Sequence, residues 1–543
     1  MKMLKKTAFI NGKIRTMDAA CSIQEAVLIE QDRIVAVGTT LEILELAGDS
    51  ATVIDLRGYA LFPGFIDTHS HLSMFSLWSD QVYCGAEVGS VAGALERLRE
   101  RAAQCKPGDL VLGWGYDDSI LAENRGPSIQ ELDAISTELP IVVVHISVHA
   151  CYVNSKALAL CGIGPHSKIQ GGEVVLDDRG NPTGHLLEMA HYEALGKLCP
   201  PPDKERLRHA LHSGIAAYNA YGLTGTHEAG IGLGGVDAAL YTRLLLEMEQ
   251  AGELNIRTYL SYMGEAFKKI EETGIGTGFG TKQVRISGPK LFNDGSIQAH
   301  TAALLAPYHD RPDFQAGLLM KDGELDRLVE HYHREGYQIA YHANGDASIE
   351  AIIQAVEKAQ KKFPRQDPRH IVVHCQLASD KHLERMHKAG MIPSFFGLHI
   401  WYYGDRHFER FLGPERASRM DPSGSAVRLG MRHSLHADSP VMPPWTIKSI
   451  HTAVNRTTRN GRTLGEDQRI SAEEAVRAYT SHAAYFQFRE NQVGSIEPGK
   501  LADFVLLSDD ILTMAPQKIE DTKVLMTVLG GQTVYGEIPA RNQ

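Results

Sequence analysis

The stretch Pro63-Gly-Phe-Ile-Asp-Thr-His-Ser-His71 predicts a short buried strand that ends in two histidines. Side chains alternate between the two faces of a strand, so His69 and His71 point the same way and one metal ion can contact both imidazoles. Two polar residues at the end of an ordinary strand would give the same pattern. The rest of the chain decides between these interpretations.

Beyond this stretch, strand-like runs alternate with helical patterns. Residues 348–363, for example, place Ile and Val on one face at helical spacing. Such alternation predicts a parallel sheet with helical connections. We predict a (β/α)8, TIM-like barrel over residues 61–487, with inserted structure within about 75–211, where the connection is longer than a barrel needs. The predicted strands after the first lie at 110–114, 141–145, 222–227, 284–292, 338–342, 370–374, 391–395 and 432–436.

Both ends of the chain have a different character. Residues 1–60 and 488–543 contain short β-branched runs separated by turn residues. Each end alone offers too few strands to bury a face. We therefore predict that the two termini build one small composite β-sandwich domain beside the barrel.

Composition restricts the class of protein. The hydrophobic fraction of 43% and the charged fraction of 22% are those of an ordinary soluble globular chain. A net charge of −11 without a basic block argues against a nucleic-acid or anionic-membrane partner. No apolar run approaches the roughly 20 residues that span a bilayer, and the N-terminus lacks the apolar segment of a signal peptide. The 7 scattered cysteines include no Cys-x-x-Cys pair, which favours a reducing compartment. We predict a cytoplasmic protein that acts on a small molecule, and we leave a homo-oligomer open.

Three later strands also end in a side chain that can bind a metal. One histidine at a strand end is more often a core residue, but three successive ends behind a His-x-His pair are hard to attribute to chance. The carboxyl ends of barrel strands converge on one mouth, so ligands that are distant in sequence can meet there. The residues that we expect to form this centre are His69, His71, His342, His374 and Asp438.

Lys290 lies inside an apolar run, where an unpaired ammonium group would be costly. It could pair with Asp294. Alternatively, it could be neutralised or carbamylated and become an anionic bridge between two metals. The residues alone leave both interpretations open.

These motifs resemble those of the amidohydrolase superfamily, and within it the YtcJ-like branch, amidohydrolase family 3, which includes N-substituted formamide deformylases. The likeness covers nearly the whole chain. It rests on residues 63–71, Val153-Asn-Ser-Lys-Ala-Leu158 after His149, Lys290-Leu-Phe-Asn-Asp-Gly295, His342-Ala-Asn-Gly-Asp346, Ala437-Asp-Ser-Pro-Val441 and Gly494-Ser-Ile-Glu-Pro-Gly-Lys-Leu-Ala-Asp503.

The resemblance implies a centre of one or two divalent ions. His69, His71 and Asp438 would hold the first ion, and His342 and His374 would hold the second. Such a set of nitrogen and oxygen ligands suits Zn²⁺, although other divalent ions can also bind it.

The resemblance also implies a reaction. A carbamylated Lys290 would bridge the two ions, and a metal-bound hydroxide would attack the carbonyl carbon of an amide-type C–N bond, such as an N-acyl or N-formyl bond. Asp438 would accept the proton of the attacking water and pass it to the leaving nitrogen. His149 would lie near the site and could polarise the carbonyl.

Five further residues are candidates for substrate binding. Trp114, Tyr116, Trp401 and Tyr402 lie just past predicted strand ends, where they could contact an apolar or aromatic substrate group. Core packing is the alternative for all four. Glu228 also falls at a strand end and could face the substrate or have a structural role.

Three other functions need weighing. Residues 230–235 match Gly-x-Gly-x-x-Gly, a motif of dinucleotide-binding proteins. The next predicted strand ends without an acidic residue for the ribose, so we expect these residues to form a loop at the barrel mouth instead. A heterocycle aminohydrolase, or deaminase, usually has His-x-x-Glu on the fifth strand, whereas residues 342–345 lack the glutamate. The third alternative is a non-catalytic, metal-free binding protein on the same barrel, which the intact set of ligands argues against.

Overall fold

The computed structural model describes residues 6–85, 87–146, 148, 150–169, 172–199, 201–232, 236–321 and 323–539. At its centre is a sheet of eight parallel strands, each hydrogen-bonded to the next in chain order. We number them β1 to β8: Phe65–Ser70, Leu223–Ile231, Arg257–Met263, Val284–Phe292, Ala340–Ala343, His370–His374, Met391–Phe396 and Ser434–His436.

The first and last barrel strands meet just beyond the end of β8. The backbone N–H of Asp438 donates to the carbonyl of His69 at 3.0 Å, and the N–H of His71 donates to the carbonyl of Ser439 at 2.7 Å. These bonds nearly close the sheet, and the prediction of a TIM-like barrel is confirmed.

Helices occupy the connections between barrel strands and follow β8. The helix Asp346–Lys362 buries Ile349, Ile352, Ile353 and Val356, the side chains whose spacing predicted it. The other helices of eight or more residues that lie outside the segment between β1 and β2 and the N-terminal segment are Ala238–Gln250, Gly264–Glu271, Glu324–Arg334, Asp380–Lys388, His399–Arg406, Thr446–Asn455 and Ala472–Tyr479.

The segment between β1 and β2 forms a separate six-stranded sheet. The runs predicted at 110–114 and 141–145 belong to this sheet and not to the barrel, because Val111–Tyr116 pairs with Ile141–His145. In spatial order its strands are Gly172–Leu176, Pro182–Glu188, Ala150–Val153, Ile141–His145, Val111–Tyr116 and Val82–Tyr83. Its longer helices are Leu72–Ser79, Val91–Ala102, Met189–Leu198 and Lys204–Ala220.

Two further sheets use the ends of the chain. The first contains Arg33–Gly38, Ala26–Glu30, Lys6–Ile10 and Thr52–Asp55, and the helix Thr40–Ala47 follows its first-listed strand in sequence. The second contains Gln532–Gly536, Val524–Leu529, Phe504–Leu507, Ala60–Pro63, Lys13–Arg15 and Ile23–Gln24.

The second of these sheets joins the two termini. Phe504–Leu507 pairs antiparallel with Ala60–Pro63, and the ring of Phe9 contacts that of Phe504 at a centroid distance of 5.8 Å. The predicted boundary at residue 61 therefore falls inside a strand of the terminal sheet. That the two ends fold as one β-sandwich domain stays a prediction.

A buried ion pair connects this terminal sheet to the barrel. Arg257 on β3 donates to both carboxylate oxygens of Asp503, at 2.6 and 2.7 Å, and the N–H of Gly530 donates to the same carboxylate at 2.8 Å. Among the described residues, no helix combines the length and the apolar character that crossing a bilayer requires.

Candidate metal centre

The structure brings His69 and His71 together with Asp438 at the end of β1. The Nε2 atoms of the two histidines lie 3.2 and 3.4 Å from Oδ1 of Asp438. The carboxylate of Asp67 accepts the N–H of His69 at 3.0 Å and that of Ala437 at 3.2 Å, which fixes β1 against the end of β8. Burial raises the pKa of Asp67 to about 7.

The other two predicted histidines join the same cluster. His342 Nδ1 lies 3.2 Å from His374 Nε2, which in turn lies 3.9 Å from Oδ2 of Asp438. One ligand atom each from His69, His374 and Asp438 lie within 4.8 Å of one another. All five side chains therefore meet at the carboxyl ends of β1, β5, β6 and β8, as expected of a barrel mouth.

Two of these ligands have an unusual backbone. His374 has a φ of 66° and Asp438 a φ of 54°, in the left-handed region that residues with a side chain seldom occupy. Such conformations cost free energy and persist only where the surrounding structure enforces them, which is common at functional sites.

The protonation of the cluster suits a cation. Burial lowers the pKa of His69 and His374 well below the ordinary value and that of His342 to about 3, so their imidazoles are neutral. Although burial raises the pKa of Asp438, the hydrogen bond from His71 and the nearby histidines lower it below its ordinary value. Neutral imidazoles and an ionised carboxylate are the donors that Zn²⁺ takes in proteins. In addition, the Nδ1 atoms of His69 and His71 are buried without a hydrogen-bond partner among the described residues.

Lys290 lies on β4, fully inside the protein. Its Nζ has no hydrogen-bond partner among the described residues, and burial lowers its pKa to about 7 despite the opposing charge of Asp438. Asp294, the side chain with which Lys290 could have paired, accepts backbone N–H groups instead. They come from Ala303 at 3.2 Å, Asn344 at 3.1 Å and Gly345 at 2.8 Å. The contacts therefore do not support a Lys290–Asp294 ion pair.

The cluster opens into a cavity of about 990 Å³ between the barrel mouth and the inserted segment. This is large enough for a small organic molecule. Apolar side chains predominate in its wall, which includes Met74, Leu77, Trp78, Leu110, Leu112, Ile146, Leu195, Leu198, Phe292, Leu319, Phe396 and Val441.

The four aromatic residues that we predicted to line the pocket lie elsewhere. Trp114 packs in the core against Tyr83 at a centroid distance of 4.7 Å, and the hydroxyl of Tyr116 donates to the carbonyl of Arg125 at 2.8 Å. Trp401 and Tyr402 pack together at 6.0 Å. None of the four is in the cavity wall. Core packing, the alternative interpretation, describes them better.

Glu228 also has a structural environment. Its carboxylate accepts the N–H and the hydroxyl of Ser73, at 2.9 and 3.1 Å, and the hydroxyl of Tyr241 at 2.9 Å. Burial raises its pKa. The residue thus anchors the helix that follows β1, and it is not in the cavity wall.

Two predictions fall partly or wholly outside the described residues. His149, predicted as a catalytic residue, is one of them, as are residues 233–235 of the glycine-rich motif. The described part of that motif begins inside β2, which extends to Ile231.

Sequence reasoning missed His436. Its Nε2 lies 3.2 Å from His374 Nδ1, and its Nδ1 lies 2.9 Å from the hydroxyl of Ser394. His436 therefore orients the ring of His374 from its Nδ1 side, whereas its Nε2 faces His342. The sequence did contain a signal for His436. It lies at the end of β8, two residues before Asp438, and residues two apart on a strand share a face.

The fold and this cluster define a barrel protein with a candidate metal centre at the carboxyl ends of its strands. The amidohydrolase family model matches residues 52–535, and the chain therefore belongs to the amidohydrolase family, as its motifs indicated.

Similar proteins span nearly the full chain. An N-substituted formamide deformylase of Arthrobacter pascens is 29% identical, with 98% of this chain and 99% of the relative covered. The amidohydrolase YtcJ of Bacillus subtilis is 28% identical over the same shares. A crystal structure of an uncharacterized metal-dependent hydrolase from Pyrococcus horikoshii superimposes with a TM-score of 0.76 at 25% identity, covering 94% of this chain and 99% of that one.

Proposed function

We propose that this protein is a metal-dependent hydrolase that cleaves an amide-type C–N bond, in an N-formyl or N-acyl amine. The observation that carries the proposal is the meeting of five ligand-type side chains beside an apolar cavity of about 990 Å³, together with a buried lysine whose amine has no hydrogen-bond partner among the described residues. The similarity to an N-substituted formamide deformylase supports this choice of bond.

The residues fit a centre of one or two ions, with Zn²⁺ as the first choice. His69, His71 and Asp438 would hold one ion, and His342 and His374 the other. A bound divalent ion supplies an activated water nucleophile and polarises the substrate carbonyl.

Lys290 would complete the centre as a carbamate. Its neutral amine would add to the carbon of CO2, forming an N–C bond and releasing one proton to solvent. The product is an anion with two oxygens in place of a cation. Burial favours this change because it has already lowered the pKa of the amine to about 7.

Asp438 is the proposed proton carrier. Its carboxylate stays ionised among the histidines and borders the cavity, so it can accept a proton from the attacking water and deliver it to the leaving nitrogen. The apolar wall excludes bulk water and holds the organic part of the substrate.

The heterocycle aminohydrolase alternative has no structural support. A glutamate three residues after His342 would replace Gly345, where a Cβ would lie 1.9 Å from the carbonyl oxygen of Ala303. This backbone oxygen leaves no space for the side chain that such an enzyme uses.

The test combines metal analysis with a substrate screen. The protein expressed with added zinc should contain one to two divalent ions per chain and should release amine from members of a panel of formanilides, acetanilides and N-acyl amino acids. Asp438→Asn should retain the fold and lose turnover. A protein without metal, whose properties do not change on chelation, would indicate the metal-free binding protein instead.

A further inference from the structure

Two arginines line the cavity from elements outside the barrel. Arg101 lies at the end of the helix Val91–Ala102, and Arg206 lies in the first turn of the helix Lys204–Ala220. Both helices belong to the segment between β1 and β2. The arginines therefore add positive charge to a wall that is otherwise mainly apolar.

Among the residues that the structure describes, neither guanidinium group has an anionic partner. Across the described ranges, neither forms an ion pair, and the buried Nε of Arg101 has no hydrogen-bond partner. Elsewhere in the chain, arginines such as Arg257 and Arg385 pair with carboxylates at 2.6 and 2.7 Å. A buried donor without an acceptor costs free energy, which a ligand oxygen would restore.

A carboxylate in the same wall does not fill this role. Asp109 lines the cavity, but its Oδ2 accepts the backbone N–H of Lys106 at 2.8 Å. Among the described residues, Asp109 forms no ion pair with Arg101 or Arg206, so both guanidinium charges stay unpaired.

The wall that contains the two arginines and the ligand cluster also contains many apolar side chains. Leu77, Trp78, Leu112, Leu195 and Leu198 all line the cavity and offer no polar group except the indole N–H. A molecule that fills the whole cavity would contact the ligand cluster, this apolar surface and the two guanidinium groups.

We infer that the substrate carries an oxyanion, a carboxylate or a phosphate-type group, joined through an apolar body to the amide that is cleaved, and that Arg101 and Arg206 bind this oxyanion. The planar guanidinium group of arginine binds such groups through two parallel hydrogen bonds. The inference rests on the proposed function for the identity of the scissile bond, but the anion subsite can be measured without any reaction.

The first experiment measures binding by calorimetry to the metal-loaded full chain. The probes are 4-phenylbutyrate, 3-phenylpropylphosphonate and the neutral 4-phenylbutan-1-ol, none of which contains an amide. At least one anion should bind about tenfold more tightly than the alcohol or better, as expected for hydrogen bonds to a charged group. The tighter anion identifies the oxyanion.

Two substitutions and a matched control locate the subsite. Arg101→Gln should abolish the preference for the anion, and Arg206→Gln should weaken it. Arg99→Gln removes the same charge from the same helix, but Arg99 pairs with Glu96 and is not in the cavity wall, so the preference should remain. If Arg101→Gln does not fold, the exposed Arg206 decides the outcome. Equal binding of all three probes by the unmodified protein, or a preference that survives Arg101→Gln, would overturn the inference.

The second experiment separates this inference from the proposed function. It compares hydrolysis of 4-(4-formamidophenyl)butyrate and of the matching alcohol, 4-(4-formamidophenyl)butan-1-ol. A lower KM for the acid that Arg101→Gln removes supports both proposals, whereas equal KM values overturn the anion subsite alone. If neither compound is cleaved, the proposed function fails for this bond, and the calorimetry still decides whether the anion subsite exists.

Discussion

Lys290 is the residue whose proposed chemistry can be tested most directly. Lys290→Ala should remove the bridge, lose the second ion and lower kcat by about 100-fold or more, on the order of one strong electrostatic stabiliser. Metal analysis and turnover measure the two effects. Excess formate or acetate should partly restore both, because a small carboxylate can occupy the same position.

Lys282→Ala is the control for this change, because Lys282 is an exposed lysine that pairs with Asp32 at 2.5 Å. It should leave metal content and turnover unchanged. Two bound ions and near-normal turnover in Lys290→Ala would show that the lysine has no bridging role.

His436 provides a second test at the same scale. His436→Phe removes the contact to His374 Nδ1 at 3.2 Å but keeps a ring beside Phe396. Groups that orient a metal ligand typically contribute 10- to 100-fold to affinity, so we expect a loss of about that size for one ion. Competition with a chromogenic chelator measures it. Ser394→Ala, one contact further away, should have a smaller effect, and an unchanged affinity in His436→Phe would assign the histidine to packing alone.

The ligands could be predicted from sequence because each one ends its own apolar run. His342 and His374 lie at or next to the last residue of strands of four and five residues, and Asp438 follows a strand of three. The barrel rule brings such strand ends together. His436 also ends its strand, β8, but sequence reasoning assigned the end of that run to Asp438, two residues later, and so passed over the histidine. Trp401 and Trp114 were assigned to the pocket because position along the chain does not reveal which way a side chain turns.

At the scale of elements, Trp78 and Trp114 form a matched pair. Their rings lie 6.3 Å apart, but only Trp78 lines the cavity. Trp114→Ala should lower the free energy of unfolding by about 3–5 kcal/mol, as for a buried aromatic residue, and should change KM little. Trp78→Ala should instead raise KM for bulky apolar amides. Urea denaturation and steady-state kinetics distinguish the two variants. A raised KM in Trp114→Ala and a loss of stability in Trp78→Ala would instead show that Trp114 contacts the substrate.

The contact between the barrel and the terminal sheet can also be tested by substitution. Asp503→Ala would leave the buried guanidinium of Arg257 without its carboxylate, which typically costs about 3–5 kcal/mol. Thermal and urea unfolding measure this loss. Asp509→Ala, at an exposed carboxylate a few residues later, should change stability by less than about 0.5 kcal/mol. Equal stability of the two variants would show that the ion pair does not connect these elements energetically.

The sequence indicated most strands but not the sheet to which each belongs. Val142, Val143 and Val144 read like a barrel strand because they are β-branched and fully buried. Their partners lie at 112–113 and 151–153, within the inserted segment, so the strand joins a different sheet. Pairing between distant strands is decided by tertiary packing, which a local pattern does not contain.

At the scale of the whole molecule, metal removal should lower stability as well as activity. The predicted ligands come from the ends of four barrel strands, so a bound ion connects parts of the chain that are far apart in sequence. An ion at 100 times its dissociation constant adds about 2.7 kcal/mol to the folded state. Differential scanning calorimetry should therefore show a lower Tm after chelation and recovery on adding zinc. An unchanged Tm would mean that the ion binds weakly or not at all.

The hydrogen bond from the Asp438 N–H to the carbonyl of His69 has a consequence for how the protein is made. The first ligand pair emerges early from the ribosome, whereas Asp438 is synthesised only after all eight barrel strands and most of the chain. A nascent chain thus carries His69 and His71 for most of its synthesis without the carboxylate that completes their set. The complete set of ligands for the proposed centre is therefore available only late in synthesis, once β1 and the end of β8 can meet.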